Sequence, residues 1–508
     1  MDLEIAKLHN REEASPMKKL SFSNIDYFVK VDDQEKQILK NVNGVVKSGE
    51  MLCILGPSGS GKTSLIQILA GRIKTTKSSH RVTGSVLVND EELSSTAFRR
   101  LSGLVTQEDV FEGCLTVEET IKFKAALMLR LSNEARMTRV NEVIDSLQLN
   151  NCRETYIGDD SNPYLKGISG GEKRRLAIAI EILDPSISIL IADEPTSGLD
   201  AASAQAVINL LRTLADKGMT VLTTLHQPRV QIMSKFDLLM IMSHGRSIYN
   251  NSVDEYTKYL IDNLRIEIPL HENPYDLLLD ALNPAIADSS VKIGVIPDEF
   301  TGDIGVFLAD FLDNFKTYDS TLVNASYESI LSKDANNTSH AIDFLRWLEI
   351  TWTLFHRTAL IKLRDPICLA TQISSAILMG IIFGILYYDV YNKSTISFSL
   401  LDSQMCIAMT VLMVVWLPYD VTLTFPKERR IFLRERKAGL YTTSSFYFAR
   451  ISSDFPAHVV SAIIMAIVVH SMAQLRIALG AFILLCIAGI TVGAAIMQTT
   501  GAMARTCI

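Results

Sequence analysis

Gly56-Pro57-Ser58-Gly59-Ser60-Gly61-Lys62-Thr63 follows a short apolar run, residues 51–55, and precedes a stretch, residues 62–71, that reads as a helix. Strand, glycine loop, helix is the context in which such a string cradles phosphates. Its glycines let successive backbone N–H groups converge on phosphate oxygens, and the helix N-terminus adds a partial positive charge. Lys62 is placed to neutralise β- and γ-phosphates and the Thr63 hydroxyl to ligate magnesium, with Ser64 completing the phosphate-binding set. The first part of the chain therefore reads as an α/β P-loop nucleotide-binding domain.

A second apolar strand, residues 187–192, is broken only by Ser188 and ends in Asp193-Glu194. Asp193 is placed to hold magnesium, and Glu194 to polarise an attacking water. A carboxylate pair closing a buried strand is also what a plain helix cap looks like; the Pro195-Thr196-Ser197-Gly198-Leu199-Asp200 that follows argues against that. Upstream, Ile168-Ser169-Gly170-Gly171-Glu172 opens a predicted helix over residues 172–183, a second phosphate-capping arrangement at a helix start.

Composition narrows the remainder. At 508 residues the chain holds two or three domains, and its net charge of −7 gives no basic surplus of the nucleic-acid-binding kind. The seven cysteines are scattered without a Cys-x-x-Cys pair, which speaks against zinc and disulfide frameworks. Residues 1–19 are charged, lack a signal-peptide core and are expected to be disordered in the cytosol.

Four apolar runs follow, about residues 367–388, 403–425, 455–475 and 477–502, against a requirement of about 20 residues per span. Buried helices of a soluble core are the other reading, which four such runs in close succession make a poor one. The segment between the second and third runs carries Lys427, Arg429, Arg430, Arg434, Arg436, Lys437 and Arg450, so positive-inside bias places it in the cytosol. Residues 341–365 mix Trp347, Trp352 and Phe355 with Arg346, Arg357, Lys362 and Arg364, as an interfacial connecting helix would; a plain amphipathic connector packed on protein is the other reading. Asp420 and Asp454 are expected near the cytosolic ends of their spans, where solvent reaches them, with His458 and His470 satisfied by helix neighbours. Asn392-Lys393-Ser394 is a glycosylation sequon on the outer side.

These strings together resemble the ATP-binding-cassette transporters, and specifically the G subfamily of White/brown-complex half-transporters. The Ser169-Gly170-Gly171-Glu172 string is similar to that subfamily's signature, and Leu115-Thr116-Val117-Glu118-Glu119-Thr120, His226-Gln227-Pro228, Asn273-Pro274-Tyr275-Asp276 and Phe425-Pro426-Lys427-Glu428-Arg429 resemble further subfamily runs. Cassette first and membrane second is also its order. The resemblance covers about residues 20–285 and 341–504; residues 286–340 read only as an acidic linker. It implies an ABC nucleotide-binding domain over 20–285 and an all-α polytopic transmembrane domain over 366–508. It also implies that Gln107 touches magnesium, that His226 senses γ-phosphate and that Asp200 lies where two cassettes meet. Ser169, Gly170, Gly171 and Glu172 would then serve the partner's ATP, and Tyr27 (or Phe28) would stack on adenine, the other reading being that either is simply a core residue.

The expected activity is ATP hydrolysis with Mg2+, driving export or flipping of a lipophilic small molecule by a homodimer or heterodimer in a plasma or internal membrane. The expected catalytic set is Glu194, His226, Gln107 and Lys62. The family has six spans, so a chain ending after the fourth is expected to be a fragment or a shortened protein. A non-transporting regulatory ATPase that pairs with a full-length half-transporter is the alternative.

Overall fold

The computed structural model describes residues 19–31, 34–73, 80–93, 95–107, 110–158, 166–269, 272–282, 304, 306–308, 344–389 and 396–503. The expected disordered N-terminus (Lys19 apart), most of the 286–340 linker, the Asn392 sequon and the Asp420 side chain lie outside the described residues. The chain divides into two units: residues 1–109, 141–152 and 169–340, and residues 110–140, 153–168 and 341–508.

The strands of the first unit are β1 (Lys19–Val31), β2 (Gln34–Lys47), β3 (Met51–Leu55), β4 (His80–Val88) and β5 (Glu91–Glu92). They continue with β6 (Ser102–Val105), β7 (Ile189–Ala192), β8 (Thr220–Thr224), β9 (Leu238–Ser243) and β10 (Arg246–Ser252). One sheet is antiparallel in the order β2-β1-β4-β5; the other runs β10-β9-β3-β8-β7-β6 and is parallel except for the β9–β10 hairpin. Every residue of β3, β7 and β8 is buried. That is what near-continuous apolar strands covered on both faces require.

Helices in chain order are α1 (Lys62–Leu69), α2 (Ser95–Leu101), α3 (Val117–Met128), α4 (Asn133–Ser146) and α5 (Gly170–Glu181). Then come α6 (Ala201–Asp216), α7 (Val230–Met233), α8 (Tyr256–Asp262) and α9 (Pro274–Ala281). The α6 helix starts on an Asp200 cap whose Oδ2 accepts from the N–H groups of Ala202 and Ser203 at 3.0 and 3.1 Å. Its inward stripe of Val207, Ile208, Leu211 and Leu214 is buried, each such side chain contributing about 1.5–3 kcal/mol.

Among its described residues the second unit holds α3, the start of α4, and α10 (Phe344–Arg364), α11 (Pro366–Leu386), α12 (Ile396–Val414), α13 (Tyr419–Lys437), α14 (Thr443–Ala473) and α15 (Leu479–Met503). By length and composition, Thr443–Ala473 and Leu479–Gly501 suffice to cross a membrane, while Ala370–Leu386 and Leu401–Val414 are shorter apolar helices. Glycine allows α12 and α15 to approach closely: a Cβ on Gly493 would come within 2.1 Å of the Val415 carbonyl oxygen. The α3 helix opens on a capping box, Thr116 Oγ1 accepting from Glu119 N at 3.2 Å and Glu119 Oε2 from Thr116 N at 3.0 Å. The Arg364 guanidinium reaches the same Glu119 carboxylate with bonds of 2.6 and 2.8 Å.

Two sequence expectations are corrected here. The run over 403–425 is two helices, because a tight turn at residues 415–418, with Trp416 N bonded to Met413 O at 3.0 Å, ends α12 at Val414. Pro418, which has no N–H to continue the ladder, then becomes the N-cap of α13. Asp454 is not solvated: it is 2% exposed, because α14 begins at Thr443 and carries it inward to an ion pair with Lys362. On the same helix face Arg450 pairs with Glu428. His470 does bond locally, its Nε2 to the Ile477 carbonyl at 3.0 Å.

Candidate nucleotide site

The parallel register explains why distant residues meet. Ala192 of β7 lies between Val105 of β6 and Thr223 of β8, so Asp193 emerges beside Thr106 and Thr224. Ile54 of β3 lies against Thr224, so the glycine loop and His226 leave the sheet as neighbours. The crevice outside the carboxyl ends of parallel strands is where such sheets bind ligands.

In the glycine loop, Gly61 takes φ +100° as the N-cap of α1, and no side chain caps the helix. A Cβ there would sit 2.7 Å from Leu39 Cδ2. The Lys62 ammonium folds back onto the Gly56 and Pro57 carbonyls at 2.6 and 2.9 Å. Burial lowers its pKa below the ordinary lysine value, with the Glu194 and Asp193 carboxylates working against that shift. Ser60 is 2% exposed and its Oγ has no hydrogen-bond partner among the described residues. Pro57 is half-buried, while Ser58, Gly59 and Thr63 are exposed and Ser64 half-buried.

Across β8 from the glycine loop, Asp193 is 7% exposed and its Oδ1 accepts from the Thr224 hydroxyl at 2.7 Å. That hydroxyl oxygen in turn accepts from Glu194 N at 2.8 Å. Glu194 is held in the left-handed region at φ 47°, an uncommon place for a non-glycine residue. Gln107 Nε2 donates to Glu194 Oε2 at 2.9 Å. Thr224 carries no sequence signature; only the pairing of β7 with β8 reveals it.

The signature residues form the start of α5. Ser169 is its N-cap: Oγ accepts from Glu172 N at 3.3 Å and lies 2.8 Å from Glu172 Oε2, which also accepts from Ser169 N at 2.8 Å. Gly170 is exposed and Gly171 buried, a Cβ on Gly171 meeting Ser203 Cβ at 3.1 Å. No hydrogen bond joins Ser169, Gly170, Gly171 or Glu172 to the glycine loop among the described residues. His226 is exposed and makes no hydrogen bond or ion pair among the described residues. Tyr27 differs from its expected place beside adenine. It is 6% exposed, within the core, and its hydroxyl lies 3.0 Å from His80 Nδ1. Phe28 has the Arg81 guanidinium over its ring at 4.2 Å.

The family described as "ABC transporter" matches residues 39–197, and the family described as "ABC-2 type transporter" matches residues 349–507. The "broad substrate specificity ATP-binding cassette transporter ABCG2" of Sus scrofa is 31% identical over 504 residues, covering 92% of this chain and 72% of its own length. "ABC transporter G family member 14" of Arabidopsis thaliana is 33% identical over 86% of this chain and 67% of its own. The "ABC transporter ATP-binding protein/permease wht-1" of Caenorhabditis elegans is 32% identical over 87% of this chain and 65% of its own. Two family matches in cassette-then-membrane order and relatives spanning both place the chain: it belongs to the G subfamily of ATP-binding-cassette half-transporters, and is an ATP-hydrolysing membrane transporter subunit.

Proposed function

We propose that this chain is one half of a dimeric exporter that moves a lipophilic small molecule (a lipid, sterol, pigment precursor or xenobiotic) across a membrane. The observation that carries the chemistry is the Gln107–Glu194 contact at 2.9 Å beside an Asp193 fixed by Thr224. Its setting supports a phosphate ligand and a divalent cation. Among the described residues the α1 helix has no side-chain cap and the buried Ser60 Oγ no partner, and Lys62 rests on loop carbonyls that phosphate oxygens can replace.

Gly56, Pro57, Ser58, Gly59, Ser60, Gly61, Lys62, Thr63 and Ser64 hold the ATP phosphates. Thr63, Gln107 and Asp193 would hold Mg2+, which when bound neutralises charge on the terminal phosphates. Glu194 takes a proton from the water whose oxygen attacks the γ-phosphorus, as ADP leaves. His226 faces the γ-phosphate, and Ser169, Gly170, Gly171 and Glu172 close the partner's site. The basic residues 427–450 support a cytosolic cassette, and the apolar helices α11, α12, α14 and α15 are read as its spans. The words "broad substrate specificity" in the pig relative's name support a range of cargo rather than one molecule.

The test uses the whole chain in lipid vesicles with a lipophilic fluorescent dye and Mg-ATP. Wild type should accumulate dye, and Glu194→Gln should bind ATP yet turn it over between about 10²- and 10⁴-fold more slowly. Wild-type turnover in that variant would refute the base assignment. A strictly monomeric ATP-bound Glu194→Gln protein would refute the dimer.

A further inference from the structure

Arg174 lies one turn into α5 and is 5% exposed. Its Nη1 donates to the Thr106 carbonyl at 2.8 Å and its Nη2 to the Gln107 carbonyl at 2.9 Å. Two donors of one planar fork on two successive carbonyls fix both the place and the direction of that backbone. A lysine ammonium, a single point charge, does not. The side chain of the same Gln107 reaches Glu194 Oε2. Guanidinium, Gln107 backbone, Gln107 amide and Glu194 carboxylate thus form one continuous chain of contacts.

The helix that carries Arg174 also begins with the phosphate-capping residues. Ser169 caps it, and Gly171 is packed tightly against Ser203 of α6. A hydrogen-bonded helix turn is stiff along its axis, so a displacement of the Ser169 end moves the guanidinium with it. Nothing in the motif strings announces this role, since the residue after Lys173 reads as one more basic position on a helix.

We propose that Arg174 is a positioning residue for ATP hydrolysis. It holds the Gln107 backbone so that the Gln107 amide meets Glu194, and it ties the orientation of Glu194 to the position of the Ser169 end of α5. The inference rests on the reading of Gln107 and Glu194 given above. On that reading the Ser169 end meets the partner's ATP while Glu194 serves its own. Arg174 then links the two nucleotides, allowing one site to set the readiness of the other.

The whole chain, reconstituted in vesicles, tests this with Arg174→Lys, Gln107→Ala, the double variant and Glu194→Gln. Hydrolysis is read as kcat and KM, and unfolding temperature is followed in parallel. Arg174→Gln, which keeps a donor for one carbonyl, enters the same comparison so that a folding failure of the lysine variant does not end the test. Arg174→Lys should lower kcat between about 10- and 100-fold with KM for ATP unchanged, as expected when a reacting group is misplaced. The double variant should be no slower than Gln107→Ala alone, because Arg174 acts through Gln107. Losses that multiply in the double variant, or wild-type kcat in Arg174→Lys, overturn the inference. Wild-type turnover in Glu194→Gln overturns instead the reading beneath it.

Discussion

Arg357 of α10 and Glu435 of α13 meet as a buried, two-point ion pair, Nη1 to Oε1 at 2.8 Å and Nη2 to Oε2 at 3.0 Å. The Tyr441 hydroxyl donates a third bond to Oε2 at 2.6 Å. The side chains are only 10% and 6% exposed, so water does little to screen them. Removing one partner leaves an uncompensated buried charge, a loss of about 3–5 kcal/mol. Arg357→Met and Glu435→Met should each lower the unfolding temperature in detergent sharply, and the double variant should recover part of the loss.

The same pair sets an acid limit. Burial alone would raise the Glu435 pKa, but the Arg357 guanidinium outweighs it and holds the carboxyl down at about 2, against an ordinary 4.5. A depressed folded value means the unfolded chain binds the proton more readily, so protonation favours unfolding. The contribution is whole above pH 4.5 and is lost as pH falls from there towards 2. Unfolding followed across that window should show a steeper decline in wild type than in Glu435→Gln, and equal slopes would count against the pair.

Thr224 ties Asp193 to Glu194 through one hydroxyl, donating to the first and accepting from the N–H of the second. Thr224→Val keeps the shape and strands both partners, a cost of about 1–3 kcal/mol. It should lower kcat for Mg-ATP and the unfolding temperature together, whereas Thr224→Ser should restore both.

Lys62 lies in the glycine loop with only loop carbonyls as its hydrogen-bond partners among the described residues. Lys62→Met should therefore spare folding while weakening ATP binding at least about tenfold, since a charge-assisted bond to phosphate contributes about 1.5–3 kcal/mol. Equilibrium binding of a fluorescent ATP analogue measures this directly.

Gly493 faces the Val415 carbonyl of the turn after α12. Gly493→Val forces the helices apart or the turn to move, an overpacking cost of about 1–3 kcal/mol. Thermal unfolding in detergent should fall accordingly, and Gly480→Val, at a glycine with open space around its Cβ position, serves as the control.

What was legible in the sequence is what short strings decide. The glycine loop before α1 and the serine-glycine start of α5 each depend on residues within a few positions of one another, so their local form could be read directly. Thr224 and Arg174 act across strands and helices far apart in the chain, and their neighbours along the chain carry no trace of it. Tyr27 stood in an alternating strand whose inward face only the pairing with β2 and β4 defines. The 403–425 run is largely apolar on either side of Asp420, and hydropathy does not register that Pro418 interrupts the backbone ladder. Asp454 departs from its expected solvated place because its helix begins twelve residues upstream of Phe455, the first residue of the apolar run.

The capping box at Ser169 has one more implication. Its hydroxyl already has company in Glu172, so an incoming anion gains only the difference between two hydrogen bonds and must also displace a carboxylate. Grip on an anion held there as proposed would be inherently reversible: the moment its charge or geometry degrades, Glu172 can reclaim the serine. A clasp built on substitution lets go without being pried open.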